Sequence, residues 1–216
     1  VVRERQASGE RDENALIDSI IAAEESGQLL DGDETRIMLL VLFIAGYDTT
    51  KNLTILLMRS MLDNPEVYRR CGEDFDYARK AVKEQLRFMT PSNTMRMVKE
   101  GFEYRGVDIP AGSMLVFPLT ISGHDPEMFS DPHRFDPNRF SDNPTRQFGS
   151  AGEILPFGAG PHHCTGSRLA EVEMVHAFEK LFKRVKRLIP DGELPPSHGF
   201  ILHSPPSLPV ILEPRN

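Results

Sequence analysis

The most apolar stretch of the chain, Ile37 to Ala45, predicts a long helix over 33–62. Gly27 is a C-terminal stop signal ahead of this helix, and Asp63-Asn64-Pro65 ends it and starts the next one. The other predicted helices span 13–26, 65–71, 76–89 and 165–184. The first ninety residues are therefore expected to be largely helical.

Proline usage changes along the chain, because Pro65 is the only proline before residue 90 and seven prolines lie between Pro118 and Pro161. The proline-rich part cannot be continuously helical. From Gly123 to Pro156 no period is visible, and a loop of this length usually wraps something functional. Short strands, separated by turns at Gly106 and at Pro110-Ala111-Gly112, are predicted at 95–98, 102–104, 107–109, 113–117, 200–203 and 208–213.

Composition narrows the class of protein. The 216 residues carry 25 Lys and Arg against 32 Asp and Glu, a net charge of −7, which argues against a nucleic-acid binder. The nine apolar residues from Ile37 to Ala45 are too few for a membrane span, which needs roughly 20. Cys71 and Cys164 lie in unlike surroundings and suggest no disulfide, so a soluble, cytoplasmic protein is expected. The chain begins with valine, and its natural start is expected to lie elsewhere.

The apolar pattern of the long predicted helix is interrupted at its centre by Ala45-Gly46-Tyr47-Asp48-Thr49-Thr50 and resumes at Leu53. Glycine inside a helix costs about 1 kcal/mol relative to alanine, and an unpaired carboxylate among apolar residues is also costly. Val41, Ala45 and Thr49 share one face, which could leave room for a flat ligand. The alternative is a threonine bonded back to its own helix and an aspartate at a surface break.

A carboxylate and a guanidinium, Glu84 and Arg87, lie three residues apart on one face of the predicted helix 76–89. Such a pair is usually a solvated surface contact worth a few tenths of a kcal/mol, at most about 1 kcal/mol. It gains meaning only together with other motifs.

A cysteine stands in a glycine-rich loop at the start of the predicted helix 165–184, in the sequence Phe157-Gly158-Ala159-Gly160-Pro161-His162-His163-Cys164-Thr165-Gly166. A helix N-terminus favours the thiolate form of a thiol. Three interpretations follow: a nucleophile, a zinc site with His162 and His163, and a thiolate ligand to haem iron. Three adjacent ligands lack the spacing of structural zinc sites, and the sequence identifies no base to pair with a nucleophile.

These residues resemble the motifs of the cytochrome P-450 haem-thiolate monooxygenases. Phe157-x-x-Gly160-x-His162-x-Cys164-x-Gly166 is similar to the haem-binding loop of the soluble bacterial members. Ala45-Gly46-x-Asp48-Thr49-Thr50 resembles the oxygen-binding helix, Glu84-x-x-Arg87 the buried ion pair, and Asp136-Pro137-Asn138-Arg139-Phe140 the segment whose arginine completes that ion pair. The resemblance implies a mainly helical α+β fold with small β-sheets. It covers residues 1–216 as the C-terminal part of a single domain, with the N-terminal half absent.

The resemblance also implies roles for individual residues. Cys164 would be the axial ligand of the iron of haem b, with Arg96 and His162 on its propionates. Asp48 and Thr49 would be the catalytic acid and alcohol that deliver protons to bound oxygen, and Glu84, Arg87 and Arg139 would form a structural ion-pair triad. The remaining residues expected to bind the cofactor are Ala45, Gly46, Phe157, Gly158 and Gly166. Glu171 departs from the family, which often has arginine there, and could change how a redox partner docks.

The implied activity is insertion of one oxygen atom from O2 into a small organic substrate, with electrons from NAD(P)H. An acidic ferredoxin or a flavodoxin would deliver these electrons. A candidate docking surface for this donor is the basic cluster of Lys180, Lys183, Arg184, Lys186 and Arg187. The alternative interpretation is that these residues are only a solvated face of the protein. Two other functions stay open: a peroxide-using or rearranging haem-thiolate enzyme, and a non-catalytic part that needs a complementary N-terminal chain. Neither nucleic acid nor membrane is an expected partner.

Overall fold

The chain divides into two compact units, Val1–Asp48 and Thr49–Asn216, in a computed structural model that describes residues 1–27, 32–140 and 154–215. The helices are α1 (Val2–Ser8), α2 (Leu16–Glu25), α3 (Gly32–Asp63), α4 (Pro65–Cys71), α5 (Phe75–Phe88) and α6 (Ser167–Arg184). Among the described residues, three short 3-10 helices span Leu119–His124, Pro137–Arg139 and Gly160–His162.

The first unit begins with a helical hairpin in which Arg5 of α1 pairs with Asp18 of α2. The Asp18 carboxylate accepts hydrogen bonds from Arg5 Nε and Nη2 and from the backbone N–H of Asp12. These contacts lower the pKa of the Asp18 carboxyl, with the hydrogen bond from Arg5 as the largest cause. The ion pair therefore fixes how α1 lies on α2.

The described part of the second unit contains three two-stranded antiparallel sheets. Strand β1 (Asn93–Met97) pairs with β4 (Met114–Pro118), β2 (Phe102–Tyr104) with β3 (Val107–Ile109), and β5 (Val185–Pro190) with β6 (Val210–Pro214). Arg105 and Gly106 turn the β2–β3 hairpin with φ of 51° and 80°, and the turn therefore uses glycine in a conformation that other residues rarely adopt.

The core of the second unit joins the end of α3 to α4, α5 and α6. Its most buried members are large apolar side chains that lie on the facing sides of these helices, among them Leu57, Met61, Tyr68, Ala81, Val82, Met174, Phe178 and Phe182. Tyr68 and Phe182 pack edge to face with ring centroids 5.1 Å apart, and the Tyr68 hydroxyl donates to the Val185 carbonyl oxygen over 3.0 Å. Burial raises the pKa of Tyr68 to about 12. This core fixes the position of α6.

The five predicted helices are confirmed, within a few residues at each end, and so are the hairpin strands at 102–104 and 107–109. One expected strand was wrong, since residues 200–203 form an isolated bridge from Leu202 to Ser92 rather than a strand. Helix α1 and strand β5 were not predicted. Helix α3 continues unbroken through Gly46 to Thr50, in agreement with the single helix predicted over 33–62. Backbone continuity at Gly46 is possible because one glycine weakens a 32-residue helix without breaking it.

Helix α3 is long and apolar enough to cross a membrane, judged by length and composition alone: residues Asp33–Asp63 contain a window of mean hydropathy 1.2, of which 11% is buried. The nine-residue apolar run from Ile37 to Ala45 lies within this helix. The core helix of a soluble protein can have the same composition.

Candidate haem-binding site

The Cys164 loop is a tight turn that places the thiol at the start of α6. The Cys164 N–H donates to the Phe157 carbonyl oxygen over 2.9 Å, and the His163 N–H donates to the Gly160 carbonyl oxygen over 3.0 Å. Gly158 and Gly160 have φ of 71° and 66°, in the left-handed region that glycine tolerates best. The loop geometry therefore explains two of its glycines by conformation alone.

The thiol of Cys164 is exposed, in contrast to that of Cys71. A Cβ added to Gly166, which caps α6, would lie 3.8 Å from Cys164 Sγ, which is an ordinary contact. Cys71 is buried, and burial raises its pKa to about 12, so that thiol stays protonated. Only Cys164 has the accessibility that a metal ligand or a nucleophile requires.

The buried ion pair on α5 is built as the motif predicts. Arg87 donates from Nε and Nη2 to the two Glu84 oxygens over 2.8 and 2.7 Å, and neither side chain retains solvent exposure. Arg139 Nε lies 3.4 Å from Glu84 Oε1 without hydrogen-bond alignment, and the Asp136 N–H donates to the same oxygen over 2.8 Å. The structure thus brings Glu84, Arg87 and Arg139 together. Their burial makes the pair unlike a surface contact.

Arg87 and Arg139 also hold the irregular segment after β4. Arg87 Nη1 donates to the carbonyl oxygens of Gly123 and Pro132, and both guanidinium groups reach the Arg134 carbonyl oxygen. These carbonyl acceptors could not be predicted from the residue pattern, because every residue has a backbone carbonyl. The network therefore ties α5 to a stretch that has few regular elements of its own.

The remaining predicted residues lie in separate parts of the molecule. Ala45 and Gly46 are exposed and Asp48 is half-buried in the first unit, while Thr49 is half-buried at the start of the second. Arg96 is exposed on β1, where Nη1 donates to Thr94 Oγ1 and to the Met95 carbonyl oxygen. His162 is exposed in the cysteine loop. Phe157 is half-buried, its ring edge to face with that of His163.

Within the second unit, α3 is held to α6 by a polar contact beyond Thr49. Thr54 Oγ1 donates to the Thr50 carbonyl oxygen over 2.8 Å and also lies 3.2 Å from Met174 Sδ. Thr54 therefore bonds back to its own helix. The part of α3 next to Thr49 is fixed against the helix that follows the cysteine.

The candidate metal site of the loop can be tested on donor geometry. Across residues 1–27, 32–140 and 154–215, no three His, Cys, Asp or Glu side chains converge as ligands of a metal ion. The zinc site with His162, His163 and Cys164 therefore has no geometric support. The exposed thiol of Cys164 is left as a candidate for a metal ligand or a nucleophile.

A family model described as cytochrome P-450 matches residues 1–211. The chain belongs to the cytochrome P-450 family. It is 31% identical to cyclooctat-9-en-7-ol 5-monooxygenase of Streptomyces melanosporofaciens, covering 100% of this chain and 51% of that protein. It is 31% identical to vitamin D(3) 25-hydroxylase of Pseudonocardia autotrophica, covering 94% and 50%.

The fold agrees with this cytochrome P-450 assignment. A solved cytochrome P-450 of Chondromyces apiculatus superposes with a TM-score of 0.84 at 27% identity, over 99% of this chain and 53% of that one. The predicted α+β class with small sheets is therefore confirmed. The chain spans about half the length of the relatives it matches.

Family membership implies haem, and the donor chemistry of the chain fits it. Cys164 offers one soft, exposed sulfur of the kind that binds haem iron in cytochromes P-450. A Cβ added to Gly160 would meet nothing within 4 Å, so the loop is open on that side. Arg96 and His162 are exposed groups able to pair with carboxylates. These residues are suited to a flat ligand that carries an iron atom and acidic substituents.

Proposed function

We propose that Cys164 would supply the thiolate ligand to the iron of haem b in a monooxygenase that inserts one oxygen atom from O2 into a small organic substrate. The observation that carries this proposal is an exposed thiol at the start of α6, in a loop closed by the Cys164 to Phe157 hydrogen bond. When bound, haem supplies the iron that activates O2.

The residues of the chain have separate tasks in this proposal. Cys164 holds an anionic sulfur, favoured by the N-terminal end of α6. Arg96 and His162 hold the carboxylates of the cofactor through charge-assisted hydrogen bonds. Phe157, Gly158 and Gly166 shape the cysteine loop, and Ala45 and Gly46 leave space on α3. The Glu84, Arg87 and Arg139 triad keeps the segment after β4 in place.

Proton delivery is assigned to adjacent residues of α3. Thr49 Oγ1 would hold the proton that reduction of O2 consumes, and the Asp48 carboxyl would resupply it. A peroxide-using or rearranging enzyme has no need for this step, so the Asp48-Thr49 pair favours use of O2. Electrons come from NAD(P)H through a ferredoxin-type or flavodoxin-type donor.

The basic residues at the end of α6 and the start of β5 are the proposed docking surface for the electron donor. Lys180, Lys183, Arg184, Lys186 and Arg187 are all exposed, although Lys186 and Arg187 share Glu213 as an ion-pair partner and Lys183 pairs with Glu179. Part of the positive charge is therefore offset locally.

The soluble, bacterial and cytoplasmic setting that we propose is supported by the bacterial sources of the relatives.

The decisive experiment compares two cysteine variants of the haem-loaded protein. Cys164→Ser should abolish the red-shifted absorption of the reduced carbon monoxide complex, since serine supplies no thiolate. Cys71→Ala is the matched control and should keep it, because the Cys71 thiol is buried in the core and is not accessible to a ligand. Retention of the red-shifted band in Cys164→Ser would refute the assignment.

A second candidate function, a part that works only with a complementary chain, is favoured by the surface of α3. Its apolar side chains from Ile37 to Tyr47 are largely exposed, Phe43 being 70% and Val41 57% accessible. An apolar surface of this kind marks an interaction site or an aggregation risk. The proposed cover is a polypeptide that corresponds to the half of the relatives' length that this chain does not span.

A further inference from the structure

Lys83 of α5 and Glu171 of α6 form an ion pair that the cysteine motif does not include. Lys83 Nζ donates to Glu171 Oε1, and each side chain is 11% exposed. Glu171 has a second partner on its solvent side: Arg168 Nη1 lies 3.2 Å from Oε2, and the Arg168 side chain is 78% exposed. One carboxylate is thus held from inside the protein by Lys83 and from outside by Arg168.

The pair connects two elements that matter for the site. Lys83 is adjacent to Glu84, whose carboxylate carries the ion-pair network of α5. Successive residues of one helix therefore point their charges at two different neighbours: Lys83 at α6, and Glu84 at the segment that contains Asp136 and Arg139. The rigid end of α5 is a common support for both.

Glu171 is the first buried residue of α6. The later buried positions, Met174, Phe178 and Phe182, belong to the apolar core, whereas Arg168 and Leu169 at the start of the helix are exposed. The beginning of α6 has no comparable apolar anchor, and it is the part that continues from the Cys164 loop. The contact with Lys83 is therefore the buried attachment nearest to the cysteine on this helix.

The energetics of a buried ion pair distinguish a positioning role from simple stabilisation of the fold. A buried ion pair is often no more stabilising than apolar side chains of similar volume, although removal of one partner leaves a costly buried charge. An ion pair differs from an apolar contact in its dependence on orientation, because the ammonium and the carboxylate must meet in one arrangement. Apolar side chains in the same place fill volume without fixing that arrangement.

We propose that Lys83 and Glu171 are positioning residues that fix the first turns of α6 on α5 and thereby hold the Cys164 loop in the geometry for thiolate ligation. This inference rests on the proposed function only for its haem-dependent consequence. Glu171 stands where the family often has arginine. The proposal explains this glutamate as the buried partner of Lys83 rather than as a substitution on the surface.

The test uses apoprotein and haem-loaded protein. In the apoprotein, Glu171→Gln and Lys83→Met should each speed hydrogen exchange over residues 164–171 by about tenfold or more, with little change over Phe178 to Arg184. In the haem-loaded protein both should lower the fraction of carbon monoxide complex with the red-shifted thiolate band. Arg168→Gln is the matched control, since it removes only the exposed partner of Glu171, and both readouts should stay at wild-type values.

Two double variants separate the effect of an oriented ion pair from the effect of filling the same volume. The reversed pair Lys83→Glu with Glu171→Lys should recover slow exchange and the thiolate band. The apolar pair Lys83→Met with Glu171→Leu should recover thermal stability without recovering slow exchange over 164–171. Full recovery of exchange and spectrum in the apolar pair, or single variants with wild-type exchange, would overturn the proposal. Loss of the band in wild-type protein would refute haem-thiolate ligation instead, and the exchange measurements would still decide the role of the pair.

Discussion

Glu84 and Arg87 form a two-point ion pair with no solvent exposure on either side chain. Because both charges are buried, removal of one leaves the other without compensation. Exposed ion pairs of the same spacing, such as Glu66 with Arg69, keep their contact with water. Position in the fold, rather than spacing in the sequence, therefore decides what an i, i+3 pair contributes.

Glu84→Gln should destabilise the protein by about 3–5 kcal/mol, because Arg87 and Arg139 would lose the carboxylate between them. Urea unfolding at neutral pH measures this change in the free energy of unfolding. Glu66→Gln is the matched control on α4 and should change stability by less than about 1 kcal/mol, since its partner Arg69 also contacts Glu73. Equal effects of the two substitutions would contradict a dominant role for burial.

Gly123→Ala and Gly72→Ala should differ although both positions are crowded. A Cβ at Gly123 would overlap the backbone carbonyl of Arg87, and we expect a loss of about 1–3 kcal/mol or more because backbone cannot move aside cheaply. A Cβ at Gly72 would meet the end of the Arg215 side chain, which can swing away, so the loss should stay below about 1 kcal/mol. Thermal unfolding of both variants measures the difference, and a Gly72→Ala loss as large as that of Gly123→Ala would count against this interpretation.

His124 should make stability fall at mildly acidic pH. Its pKa is lowered by burial first and then by the charges of Arg87 and His133, while the unfolded chain keeps the ordinary value of 6.5. As the pH falls below that value the unfolded state takes up a proton before the folded state does, so this contribution is complete above pH 6.5 and is lost progressively below it.

The measurement for His124 is the free energy of unfolding at a series of pH values between 7 and the acid limit of the fold. His124→Gln should flatten part of the decline. His198 is exposed and provides the control, so His198→Gln should leave the decline as it is in the wild type. A wild-type slope that persists in His124→Gln would assign the pH dependence to other groups.

Local signals in the sequence predicted the helices well because glycine, proline and capping residues act over a few positions. Strand β5 was missed because α6 passes into it at Val185 with no glycine or proline between them, and its partner β6 lies far along the chain. The cysteine loop and the Glu84-x-x-Arg87 motif were visible for the same local reason.

Contacts between distant positions had no comparable signal. Lys83 and Glu171 are 88 positions apart, and nothing next to Lys83 distinguishes it from other helix lysines. The carbonyl groups of Gly123 and Pro132 likewise cannot be recognised as acceptors from the sequence, because every residue has a backbone carbonyl. Burial and pairing of such groups are set by tertiary packing, which residue patterns alone do not specify.

Thr49→Ala should uncouple electron consumption from product formation. Loss of Oγ1 removes a hydrogen-bond donor from the proposed proton path while leaving Cys164 and the ion-pair network untouched, so haem and substrate binding should persist. NAD(P)H consumption should continue at a comparable rate, with a larger share of the electrons released as hydrogen peroxide and several-fold less product per NAD(P)H. Thr54→Val is the matched control: it also removes a hydroxyl from α3, but that hydroxyl contacts Thr50 and Met174, so coupling should stay near the wild-type ratio. The experiment uses the complete enzyme with its electron donor and measures NAD(P)H, peroxide and product together. An unchanged ratio of product to NAD(P)H in Thr49→Ala would exclude Thr49 from proton delivery. Ligation by Cys164 would not be affected by that result, because the carbon monoxide spectrum tests it separately.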